Sequence, residues 1–181
     1  ALMSMLGVSL LSQVVNEKKI VEPGEILNVL NESVITALKQ QENETHDGMD
    51  VILIRFKKGG NTIHFAGANR PLWVISENNL MEYKTDKVPV GGLQVERNSF
   101  TTHEIQIQPG DTIYLSSDGY ADQFGGDEGR KFMTRKFKEF LTNGNHHTMK
   151  EQREALYQMH LQWKGKEEQV DDILVIGLRF S

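Results

Sequence analysis

The chain has 181 residues, 38% hydrophobic and 25% charged, ordinary values for one globular domain able to bury a core. Its net charge of -5 gives a nucleic-acid role no electrostatic support. The absence of cysteine excludes disulfides, thiolate metal sites and cysteine nucleophiles, and fits a reducing, cytoplasmic setting.

Leu2, Leu6, Leu10 and Val14 recur at helical spacing, with Met3, Leu11 and Val15 beside them. The stretch lacks a basic leader and reads as a buried helix rather than a signal peptide. No apolar run reaches the roughly 18 residues of a membrane span. The chain opens inside this helical pattern without a cap, so it is expected to be a domain lacking its N-terminal segment. Pro23 suits a first helical turn, and Ile26, Leu27, Leu30, Val34 and Leu38 mark one face of a second helix ending near Gln41. Met49 to Phe56 is β-prone, Gly59-Gly60-Asn61 signals a hairpin, and Thr62 to Ala66 continues it.

Leu72 to Ile75 and Leu80 to Tyr83 flank a turn at Asn78-Asn79; Phe100 to Ile107 alternates weakly, and Pro109-Gly110 turns the chain into the apolar strand Thr112 to Ser117. Phe132, Met133, Phe137, Phe140 and Leu141 form the apolar face of a third helix. Thr148 with Glu151 is a capping box opening a fourth, with Leu156, Met159 and Trp163 inward. Ile173 to Phe180 is a closing strand. Hairpin-linked strands between helices predict a single α+β domain over 1–181 with antiparallel sheets covered by helices.

Two places carry candidate chemistry. Ser116-Ser117-Asp118-Gly119 follows a core strand, and Asp171-Asp172 precedes the last one. A carboxylate at the end of a core strand must be hydrogen-bonded, paired or bound to a cation. Strand alternation predicts that at most one of Asp171 and Asp172 shares a site with Asp118. Asp-Gly is equally a turn dipeptide, and spacing alone leaves a metal site and a simple turn both open. Asp47 and Asp50 could form a further metal loop, but read more simply as a strand entry. The basic run Arg130, Lys131, Arg135, Lys136 and Lys138 could dock a phosphorylated partner, with a solvated helix face the plainer reading. Tyr120 to Gly129 reads as a flap beside the site. His64 and His103 read as strand residues, His146-His147 as loop, and Trp73 and Trp163 as core or partly buried anchors.

Gly110-Asp111-Thr112-Ile113-Tyr114-Leu115-Ser116-Ser117-Asp118-Gly119-Tyr120-Ala121-Asp122-Gln123 resembles a motif of the metal-dependent protein phosphatases (the PPM, or protein phosphatase 2C-like, superfamily) in their bacterial SpoIIE/RsbU branch. Gln169 to Ile176 is similar to the family's closing Asp-Asp motif. Ala66-Gly67-Ala68-Asn69-Arg70-Pro71-Leu72 is similar to its AGHNPPL turn, with Ala68 in the usual His position and Arg70 in place of a Pro. Pro89-Val90-Gly91-Gly92 matches P-[LV]-G, and Ala1-Leu2-Met3-Ser4 resembles the end of GHGVPGALMS. The motifs stand in family order along nearly the whole chain.

The resemblance implies a four-layer α-β-β-α sandwich with two antiparallel sheets. It implies two Mn²⁺ or Mg²⁺ ions in the complete domain, with Asp118 and Asp171 as ligands and Asp172, Gly119 and Asp122 as less certain ligands or neighbours. Water activated by the ions would attack phosphoserine or phosphothreonine, so no catalytic side-chain nucleophile is needed. The family's bridging Asp falls before Ala1, so this chain by itself is expected to be weakly active or inactive. Implied partners are a phosphorylated bacterial regulatory protein, such as an anti-sigma-factor antagonist, and an upstream sensor domain; membrane contact is not implied. Sheet edges left unpaired invite a homodimer. The alternatives are a non-catalytic phosphatase-fold signalling module and a metallohydrolase of small phosphate esters, the latter disfavoured by the lack of a basic nucleotide pocket.

Overall fold

The computed structural model describes residues 2–40, 47–92 and 99–181. Its contacts divide the chain into two compact units, one of residues 1–71 with 84–107, the other of residues 72–83 with 108–181.

The first unit opens with α1 (Leu2–Ser12), extended by a π-helical turn over Gln13–Glu17, and α2 (Pro23–Ala37). Pro23 begins α2 where its missing N–H costs nothing. A short ladder pairs β1 (Gly48–Met49) with β6 (Val90–Gly91), and β2 (Val51–Phe56), β3 (Thr62–Ala68) and β7 (His103–Gln106) form an antiparallel sheet in that order. Gly59, at φ 77°, serves the β2–β3 hairpin. Leu27, Leu30 and Val34 of α2 pack with Ala66 and Ala68 of β3, Val90 and Phe100, all buried. The small β3 side chains leave room for the helix. Gly24 is tighter still: a Cβ there would lie 2.6 Å from the Phe100 carbonyl oxygen.

The second unit contains the antiparallel sheet β11–β8–β4–β5, made of β4 (Leu72–Ser76), β5 (Asn79–Tyr83), β8 (Thr112–Ser116) and β11 (Val175–Arg179). Between β8 and β11 run the helical turn α3 (Gly119–Asp122), the small ladder of β9 (Phe124–Gly125) with β10 (Arg130–Lys131), and the helices α4 (Thr134–Asn143) and α5 (Met149–Lys164). An aromatic core joins them: Phe137 of α4 lies edge-on to Trp73 at 5.4 Å between ring centres and is stacked with Tyr120 at 4.4 Å. The capping box of α5 forms as read, with Thr148 Oγ1 accepting from the Glu151 N–H and the Glu151 carboxylate from the Thr148 N–H.

Several local expectations need correction. The β4–β5 turn centres on Glu77 and Asn78, at φ 47° and 64°, not on Asn78-Asn79. Two left-handed residues make the hairpin geometry that matches strand twist, and Asn79 already pairs with Ser76. Met133 has φ 76° and is exposed, so it precedes α4 instead of joining its apolar face. Strand β11 starts at Val175, two residues after the expected Ile173. The tryptophans need no correction: Trp73 is buried, and Trp163 is half-buried with its Nε1 donating to the Gln123 carbonyl.

The buried Tyr114 hydroxyl donates to Gln152 Oε1, and Gln152 Nε2 donates to the His147 carbonyl. Replacing Tyr114 by Phe leaves that amide oxygen without its donor and should cost about 1–3 kcal/mol in urea unfolding. Burial pushes Tyr114 up to about 12 and raises Tyr120 also. An unfolded tyrosine ionises near its ordinary value of 10, so the unfolded chain releases these protons first. Stability should hold below pH 10 and fall as pH rises through the window from 10 to about 12, with a shallower fall in Tyr114→Phe.

Candidate metal centre

The two sequence motifs meet at one end of the β8–β11 pair. Ser116 stands opposite Val175, and beyond that pair the Ser117 N–H donates to the Leu174 carbonyl at 3.0 Å. The ladder then passes to a side chain: Ser117 Oγ accepts from the Leu174 N–H at 2.9 Å and donates to the Asp172 carbonyl at 2.9 Å. Asp118 follows at φ −80°, ψ −20°, and its carbonyl accepts from the Asp122 N–H, closing the turn α3. Gly119 is buried where the two stretches touch; a Cβ there would lie 2.5 Å from the Asp172 carbonyl oxygen. Glycine is required by that close approach.

Asp118 is half-buried, while Asp171 and Asp172 are exposed. Asp171 Oδ1 accepts from the Asp172 N–H at 2.7 Å, and Gln169 Nε2 donates to the Asp171 carbonyl at 2.8 Å. The expectation from strand alternation at Asp171 and Asp172 does not apply, because both precede β11. Asp122 lies on α3, its carboxylate 3.0 Å from Lys131 Nζ. The structure thus brings the Ser117-Asp118-Gly119 stretch against the backbone of Asp172, next in sequence to Asp171, and gives Asp122 a cation of the chain's own.

Carboxylates and backbone carbonyls are the donors that hard divalent cations take, so the residue types present suit Mn²⁺ or Mg²⁺. Among the described residues no group of three or more His, Cys, Asp or Glu side chains is arranged to hold an ion. The set therefore fits as part of a site. A cavity of about 580 Å³ between α5 and β11 is lined by Gln169 and Ile173 but by none of these aspartates.

The other candidates resolve into structural roles. Asp50 accepts from Asn69 Nδ2 at 2.9 Å and from Arg70 at 2.6 Å, tying strand entry to the turn where Arg70 replaces the family's Pro. The basic run is partnered piece by piece. Arg130 pairs with Glu128, Lys131 with Asp122, Arg135 with Glu139 and Lys138 with Glu82, while Lys136 lies 3.9 Å over the Trp163 ring. His103 stacks on Phe65, and His64 approaches Glu22. Sequence reasoning missed Gln123, which is 1% exposed and donates through Nε2 to the Glu168 carbonyl. Its trace in the sequence is its place at the end of the Gly110–Gln123 motif.

A Gly119→Ala substitution should force the Asp118 and Asp172 stretches apart. The expected outcome is a lower unfolding midpoint and a loss of Mn²⁺ binding measured by calorimetry on the folded variant.

The family model for stage II sporulation protein E (SpoIIE) matches residues 1–181. The solved SiaA-PP2C domain of Pseudomonas aeruginosa superposes with a TM-score of 0.88 at 27% identity, covering 100% of this chain and 70% of that one. The PP2C phosphatase domain of SpoIIE from Bacillus subtilis, solved with a fragment of its regulatory domain, gives 0.69 at 13% identity over 96% of this chain and 48% of that one. The catalytic domain of PstP, a serine/threonine phosphatase of Mycobacterium tuberculosis, solved in complex with 2 manganese ions, gives 0.62 at 16% over 98% and 80%. No curated protein matches the chain. The helices and antiparallel sheets are those of the expected protein phosphatase 2C-like fold class, and the chain belongs to the SpoIIE family of phosphatase domains.

Proposed function

We propose that the chain is a Mn²⁺- or Mg²⁺-dependent protein serine/threonine phosphatase unit, its two compact parts acting as one domain. The observation that carries this reading is the hydrogen-bonded union of Ser117-Asp118-Gly119 with Asp171-Asp172, two motifs distant in sequence, in a chain of this family. Asp118 and Asp171 would hold the ion. Asp172 follows with its N–H on the Asp171 carboxylate, which orients that carboxylate, and Gly119 gives the two stretches their close approach. Bound divalent ions supply acidified water for attack on phosphorus and positive charge for the phosphoryl oxygens. The chain's own part is to hold carboxylates at the exposed end of the sheet, where a phosphorylated side chain on another protein can reach them.

Two carboxylates fall short of the roughly six oxygens such ions prefer, so the chain alone is proposed to turn over slowly. The neighbouring SpoIIE structure joins the same fold to a regulatory domain. That pairing supports a signalling role on a bacterial regulatory protein, such as an anti-sigma-factor antagonist, in the cytoplasm and under an upstream sensor. Among the described residues no helix is long and apolar enough to cross a membrane. The exposure of Asp171 and the sparse donor set favour a second reading, a phosphatase-fold module that binds without catalysis.

Hydrolysis of a phosphoserine peptide, with and without Mn²⁺, separates the two. Asp118→Asn should lower metal-dependent turnover by more than about 100-fold, beyond the usual cost of losing an outer-shell partner, with its thermal midpoint retained. The assay uses the chain with its upstream segment restored; that protein, folded and Mn²⁺-loaded, releasing no phosphate would sink the enzyme reading and leave the binding module.

A further inference from the structure

The stretch from Glu168 to Leu174 carries Asp171 but has no helix or strand of its own to fix it. It is held from the opposite stretch at two points that bracket Asp171. Gln123 Nε2 donates to the Glu168 carbonyl at 2.9 Å, and Ser117 Oγ donates to the Asp172 carbonyl at 2.9 Å while accepting from the Leu174 N–H. Both clamps come from the segment that carries Asp118.

We propose that Ser117 and Gln123 are positioning residues that hold Asp171 in register with Asp118 for a shared divalent cation; this rests on those aspartates being ligands. Gln123 is anchored for the task. Its carbonyl accepts from the Phe132 N–H at 2.9 Å and from Trp163 Nε1 at 3.1 Å. Its side-chain nitrogen serves the Phe124 and Glu168 carbonyls together, while its buried Oε1 has no hydrogen-bond partner among the described residues. Turning the amide over would set the oxygen against two carbonyls. The side chain therefore tolerates an unsatisfied oxygen to keep both N–H bonds, whereas an apolar residue would have served for packing alone. Ser117 uses its hydroxyl as donor and acceptor at once, a pair of roles Ala lacks and Thr keeps. Carboxylate ligands need such support, since outer-shell partners commonly change metal affinity by about 10- to 100-fold.

The test compares Ser117→Ala, Ser117→Thr, Gln123→Met and Asp118→Asn with the unaltered chain. The readouts are free Mn²⁺ by electron paramagnetic resonance, deuterium exchange at the Asp172 amide in metal-free protein, and the thermal midpoint. Ser117→Ala should weaken Mn²⁺ binding by about tenfold and speed Asp172 exchange, with little change in midpoint, and Ser117→Thr should restore both. Gln123→Met should act in the same direction; where it fails to fold, Ser117→Ala decides. Unchanged Mn²⁺ affinity in folded Ser117→Ala overturns the inference, whether or not exchange rises, while leaving the ligand reading intact. Absent Mn²⁺ binding in the unaltered chain, or unaltered binding in Asp118→Asn, overturns the ligand reading and the positioning role with it.

Discussion

Pairing of Ser116 with Val175 sets the register of β8 on β11, and what the two following loops carry depends on that register. Side chains alternate along a strand, so a slip of one residue would present each face to the wrong side. It would also move Ser117 away from Leu174 and Asp172. The ladder is continued by a hydroxyl just where the backbone ladder ends, so the loops leave the sheet already joined. Sheet register thereby becomes loop geometry, and loop geometry places the aspartates.

Packing behind the sheet makes the register costly to lose. Ile113 and Tyr114 of β8 are buried, as are Trp73 and Ile75 of β4, and the rings of Tyr120, Phe132 and Phe137 fill the space beneath α4. Tyr120 belongs to α3, the turn directly after Asp118, and its hydroxyl donates to the Leu156 carbonyl of α5. The residue two positions after Asp118 is thus an anchor in the aromatic core. The candidate site rests on a core-bound turn on one side and on a hydrogen-bonded loop on the other.

The charges of this unit follow the same economy. The lysines and arginines of β10 and α4 looked from the sequence like a docking surface, yet each meets a nearby carboxylate or ring. Exposed pairs of this kind contribute little to stability. Their consequence is that most of these cations already have a partner within the chain.

By itself the sequence determined the order of the longer helices and strands, because periodicity, hairpin glycines, Pro23 at a helix start and the Thr148–Glu151 capping box are local signals; the stretch read as a flap instead carries α3 and the β9–β10 ladder. It also marked Asp118 and Asp171-Asp172, since a carboxylate at the mouth of an apolar strand is locally conspicuous. Tertiary structure decided what local signals cannot carry. The hydroxyl of Ser117 reaches across 55 positions to Asp172, Gln123 is buried against Glu168, and Asp50 is used by Arg70. Met133 leaves its helix, and the β4–β5 turn moves one residue. Each of these outcomes depends on hydrogen bonds or backbone angles set by residues distant in the chain or by the packing around them, and those partners become neighbours only when the sheet closes.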